Sequence, residues 1–130
     1  MRRAPFLERR ARNFINLNFK VGELQQYGMV IGLKDECEVA YRTLHLGLGV
    51  RDLLSAANIS NFNIFIHRLP DGNLYEFGYY EYTGTDYQGD MMRLASDPRN
   101  LEWLSLCDPM QVPLPGSTGW TIMERVFFNV

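Results

Sequence analysis

Residues 60–83 read SNFNIFIHRLPDGNLYEFGYYEYT, and no other stretch constrains the fold as much. Phe62, Ile64 and Ile66 alternate with Asn63, Phe65 and His67, the period of two that sends side chains to opposite faces of a strand. Pro70-Asp71-Gly72-Asn73 is strong turn chemistry, and the run that follows is rich in the aromatic residues that strands favour. The two runs are expected to pair as an antiparallel hairpin. A hairpin with an apolar face is marginal alone, so further strands and a covering helical layer must come from the rest of the chain.

Those elements are legible on either side. QYGMVIGL (26–33) places Tyr27, Met29, Ile31 and Leu33 on one strand face. Residues 34–45 read as a helix that Asp35 would cap, with Cys37, Ala40, Tyr41 and Leu44 at helical spacing. Gly47 and Gly49 interrupt helical character before residues 50–58 resume it. Asp86 to Ala95 reads as a helix, and Asp97-Pro98 sets an N-cap before another short one. A Pro/Gly-rich loop covers 108–119, and residues 120–130 are expected to close the sheet as a last strand. The order β-α-β-β-α-β, with an extra short helix, is the ferredoxin-like α+β pattern. Its uncovered sheet face would carry Tyr75, Phe77 and Tyr79 or their alternates, which leads to the expectation of a homodimer forming an α+β barrel.

A chain of 130 residues, 46% apolar and 22% charged, is enough for one core, and it has no apolar run long enough to span a membrane. Six of the thirteen Lys/Arg but only two of the fifteen Asp/Glu fall in residues 1–24, so the net charge of −2 divides into +4 there and −6 over 25–130. The division is therefore a basic N-terminal arm (1–24) and one folded domain (25–130). The arm shares its arginines with organelle transit peptides but is expected to fold against the domain or its partner. The acidic remainder is ill suited to nucleic acid, whose affinity rests on neutralising phosphates. Cys37 and Cys107 stand apart from any metal-ligand spacing and fit a reducing, cytoplasmic setting. No P-loop, dinucleotide fingerprint, serine elbow or metal cluster is present, so neither a metal nor an organic cofactor is expected.

Tyr41 and His45 lie one helical turn apart and share a face, just before the Gly-Leu-Gly break. Histidine is the side chain best matched to proton transfer near neutrality. Taken alone, a histidine such as His45 or His67 is more often structural than catalytic. The aromatic residues between Tyr75 and Tyr82, together with Trp103, can stack on sugar C–H faces or simply fill a small core.

YGMVIGLKDECEVAYRTLH, LLSAANISNFNIFIHRLPDGNLYEFGYYEY, DMMRLASDPRNLEW and WTIMERVFFNV together resemble the L-rhamnose mutarotase family. Most specific are Tyr-x-x-x-His, Ala-Asn-Ile-x-Asn, Ala-x-Asp-Pro leading to tryptophan, and the closing Met-Glu-x-Val-Phe. The resemblance, over roughly 26–130, implies a dimeric ferredoxin-like barrel that interconverts the α and β anomers of L-rhamnose without a cofactor. It implies that His45 is the proton donor and that Tyr41 binds the sugar, with Phe62, Glu102 and Trp103 at further substrate-binding positions. Opening the pyranose needs a proton delivered to the ring oxygen and another removed from the anomeric hydroxyl.

Several positions depart from the family pattern. LGLGVRD replaces a Trp-Pro segment, Phe62 stands where a tyrosine is usual, Glu102-Trp103 replaces a tandem tryptophan, and Phe128 replaces a polar aromatic residue. Two readings therefore stay open. One is a mutarotase with an altered pocket, in which Glu102 either grips a hydroxyl or is merely exposed. The other is a catalytically inactive dimeric domain that binds a small ligand or a partner.

Overall fold

The structure, a computed structural model, describes residues 25–129; the expected arm lies outside the described residues. The order is β1 (Gln25–Leu33), a 3-10 turn (Asp35–Cys37), α1 (Glu38–Leu44), α2 (Arg51–Ala56), β2 (Ile59–Arg68) and β3 (Leu74–Tyr82). There follow α3 (Tyr87–Ser96), α4 (Pro98–Cys107), a second 3-10 turn (Asp108–Met110), β4 (Gln111–Val112) and β5 (Thr121–Met123). The strands form one antiparallel sheet in the order β2-β3-β1-β4, with β5 also pairing β1. This is the ferredoxin-like α+β arrangement.

Alternation in β1 and β3 decides which face is covered. Tyr27, Met29, Ile31 and Leu33 are buried, as are Leu74, Tyr80 and Tyr82; Tyr27, Met29, Tyr80 and Tyr82 pack with Met91, Leu94 and Ile122, and Leu33 and Leu74 with Tyr41. Tyr27 stacks on Tyr80 at 4.8 Å, and Phe62 stacks on the other side of Tyr80 at 5.6 Å. These rings are therefore core. In β2 the register shifts between Ser60 and Asn63, so Ile59 and Phe62 both face inward although three residues apart. Asn58 and Asn61 take left-handed backbone, φ 61° and 50°, which asparagine tolerates better than most side chains. Their amides then reach Asp90 at 2.9 Å and Glu81 at 2.7 Å. The Ala-Asn-Ile-x-Asn motif is thus a device for entering the second strand.

Two helix caps are formed by aspartates, the one at Asp97 as expected and the one at Asp86 from a residue read as the start of the helix itself. Asp86 accepts from the Gly89 amide at 3.0 Å, and Asp97 accepts from Arg99 at 2.9 Å with Pro98 in the first turn of α4. Three expectations need correction. Asp35 does not cap the first helix: the chain enters through a 3-10 turn, and the Asp35 carboxylate pairs with Arg68 at 3.2 Å. The 108–119 loop contains β4, which pairs with Gly32 and Leu33. The last strand spans only Thr121–Met123; beyond it Arg125 holds β1 through the Gln26 side chain at 3.3 Å rather than by a backbone ladder.

Candidate active site

α1 ends at His45, where the Arg51 guanidinium donates to the His45 carbonyl at 2.7 Å and satisfies a helix-end acceptor. The following turn passes through Gly49 at φ 57°, and a Cβ there would lie 3.0 Å from the Trp103 ring. Glycine is needed on both counts. Arg99 of α4 closes the arrangement, with both amino groups on Asp52 (2.8 and 2.9 Å) and one also on the Gly49 carbonyl at 3.1 Å. The glycine break thus lets backbone lie against an indole instead of forming a nucleotide loop. Gly49→Ala is expected to displace Trp103 and weaken ligand binding while the fold persists; unchanged Trp103 fluorescence and unchanged ligand affinity would contradict this.

His45, Tyr41, Trp103 and Phe62 come together on a cavity of about 430 Å³ between the sheet and the helices. The His45 ring lies 4.2 Å from that of Tyr41 and meets Trp103 edge-on at 5.1 Å. Ile31, Val50, Leu54, Ile64 and Leu94 make much of the remaining wall apolar. Glu102 is not brought in: it is exposed on α4 and does not line the cavity. His67 is exposed on β2, and Phe128 lies outside under the Arg125 guanidinium at 5.4 Å. Among the described residues no group of three or more His, Cys, Asp or Glu is arranged to hold a metal ion, and no helix is long and apolar enough to cross a membrane.

The electrostatics separate the roles of these groups. Nδ1 of His45 is 2.7 Å from the Tyr41 carbonyl oxygen, which can only accept, so Nδ1 carries the proton. Burial lowers the His45 pKa below the ordinary 6.5; the Tyr41 carbonyl opposes this and the Arg51 charge reinforces it. At neutral pH the ring is therefore neutral, with its lone pair on Nε2.

Behind Tyr41 lies a residue that motif reasoning passed over. Glu76 of β3 is 0% exposed. Burial pushes its carboxyl up to about 7, against hydrogen bonds from Tyr41 and Gln111 that favour the ionised form. Gln111 Nε2 donates to the two carboxylate oxygens at 3.3 and 3.4 Å. Burial, with Glu76 next, holds the Tyr41 hydroxyl far above the usual tyrosine range. The signal for Glu76 was present in the sequence: it shares strand parity with Leu74, Tyr80 and Tyr82, which marks it as an inward-facing acid.

The sequence profile of the L-rhamnose mutarotases matches residues 26–128. The chain belongs to the L-rhamnose mutarotase family. A crystal structure of an L-rhamnose mutarotase from Formosa agariphila is similar at 20% sequence identity and a TM-score of 0.62, covering 82% of this chain and 99% of that one. That likeness shows a shared fold. No curated protein matches the chain. In this mutarotase-family protein the Tyr-x-x-x-His spacing at Tyr41 and His45 brings together two residues whose rings meet on the cavity wall.

Proposed function

We propose that the protein is an aldose mutarotase, interconverting the α and β anomers of a monosaccharide, with L-rhamnose the first candidate. The observation that carries this reading is a neutral His45 whose Nδ1 proton is committed to the Tyr41 carbonyl, leaving Nε2 as the exchangeable position in a cavity shared with Tyr41 and Trp103. Nε2 takes the anomeric hydroxyl proton, forming a transient imidazolium, and passes that same proton to the ring oxygen as the bond between C1 and the ring oxygen breaks and the anomeric oxygen becomes the C1 carbonyl. Rotation about C1–C2 and closure on the other carbonyl face run the relay backwards. Trp103 offers a surface for the sugar's C–H face, Phe62 bounds the pocket, and Tyr41 positions the ring. Glu102, being exposed, has no part unless a ligand extends out to α4.

The apolar wall favours a second reading, a dimeric domain that binds a small ligand without turnover. Anomeric exchange measured by NMR with L-rhamnose, L-fucose, D-mannose and galactose separates the two. Enzyme-dependent exchange with any of these sugars supports the first reading. Its absence from folded protein with all of them supports the second.

The same proposal includes a homodimer. Phe65 is 64% exposed and Met123 40% exposed, while Tyr75, Phe77 and Tyr79 are half-buried on the sheet face away from the core. That apolar face is what a second sheet would cover. Phe65→Lys with Phe77→Lys is expected to yield monomers by sedimentation; an unmodified protein that sediments as a monomer overturns the barrel. The free thiols of Cys37 and Cys107 fit a reducing, cytoplasmic setting.

A further inference from the structure

We infer that Glu76 is a positioning residue that sets the hydrogen-bond polarity of the sugar site, deciding whether Tyr41 and Gln111 offer the ligand donors or acceptors. This rests on the proposed sugar-binding role of the cavity. The argument is geometric. Tyr41 on α1 and Gln111 on β4 both line the cavity, both are partners of the Glu76 carboxyl, and Glu76 itself stands behind them without lining it.

An ionised carboxylate only accepts. The Tyr41 hydroxyl then gives its single proton to Glu76, and its oxygen lone pairs are left for a ligand hydroxyl to donate to. A protonated carboxyl donates to Tyr41 instead and frees the Tyr41 proton for a ligand oxygen. Gln111 Nε2 is likewise held by the carboxylate and loosened by the carboxylic acid. Among the described residues, the titratable groups facing Glu76 supply no compensating cation. Tyr41 stays a neutral phenol, and the Cys107 thiol on α4 is pushed up to about 12 by burial, with Asp108 and Glu76 adding to the shift. The facing strand positions, Ile31 and Ile66, are apolar. With burial dominant, the carboxyl changes state near neutral pH, inside the working range of a sugar enzyme.

The test uses protein carrying tyrosine labelled with carbon-13 at Cζ, with the Tyr41 resonance assigned through Tyr41→Phe. Its shift is followed against pH in the unmodified protein and in Glu76→Gln. Two inflections are expected in the unmodified protein, an upper one near 7 from Glu76 and a lower one from His45. Glu76→Gln should lose the upper inflection and keep the lower. A Tyr41 titration unchanged by Glu76→Gln overturns the inference, whether or not the protein turns over any sugar. If L-rhamnose exchange is present, its KM should show the upper inflection in the unmodified protein and lose it in Glu76→Gln, with kcat little changed. A purely structural Glu76 would alter the amount of folded protein without reshaping that profile. If exchange is absent but the upper Tyr41 inflection vanishes in the variant, the mutarotase reading fails and the coupling stands.

Discussion

Replacing His45 by alanine is expected to reduce enzyme-dependent anomeric exchange by about 10²- to 10⁴-fold, the usual contribution of a positioned general acid–base group. The fold should survive, because His45 is half-buried at the end of α1 and what it gives up is one bond to the Tyr41 carbonyl and an edge contact with Trp103. Such a bond is worth about 1 kcal/mol. The unmodified rate should rise with pH through an inflection below 6.5, because the working form is the neutral ring and burial depresses its pKa. Arg51→Gln removes a charge that helps depress it, so the inflection should move to higher pH. The measurement is saturation-transfer NMR on the anomeric protons of L-rhamnose, corrected for spontaneous exchange. Full exchange in His45→Ala would remove the residue from the mechanism.

The framework of the fold was legible because it rests on local rules. The hairpin, the inward face of β1, the Asp97 cap and the pairing of Tyr41 with His45 each follow from period, turn chemistry or helical spacing. What escaped depends on contacts far apart in sequence. β4 is two residues long and exists because β1 offers a free edge at Gly32 and Leu33. Asp35 looks like a cap until Arg68, on another strand, supplies a partner. Gly49 looks like a helix breaker, and only the tertiary position of Trp103 shows why a side chain there would push on the indole. Among the residues read as substrate-binding, Glu102 was placed by matching a motif, and the exposed face of α4 keeps it from the cavity. Glu76 matches no motif, although an acid at an inward strand position already poses the question of what satisfies it.

Glu76→Gln is expected to flatten the pH dependence of stability. The carboxyl titrates at an ordinary 4.5 in the unfolded chain and at about 7 in the folded one. Below 4.5 both states hold the proton, and the folded state has the full benefit of a neutral, hydrogen-bonded acid. Between 4.5 and 7 the unfolded chain releases its proton first, so stability falls as pH rises; above 7 both states are ionised and the loss is complete. At about 1.4 kcal/mol per pKa unit, the loss is about 3 kcal/mol. Solvent screening does not reduce it much, because the side chain is wholly buried. Glutamine keeps the shape and hydrogen-bonding capacity without the charge, so the variant should match the unmodified protein in acid and exceed it by about 3 kcal/mol above neutrality. His45, whose pKa is lowered, contributes in the opposite sense, gaining stability as pH rises; it is common to both proteins and cancels in the difference. Urea midpoints across this pH range measure that difference directly, and one that does not change with pH would mean that the Glu76 carboxyl titrates alike in the folded and unfolded chain. Glu76→Leu should behave differently again, abolishing the titration but leaving the Gln111 amide and the Tyr41 hydroxyl without their partner, so it should be less stable than Glu76→Gln at every pH.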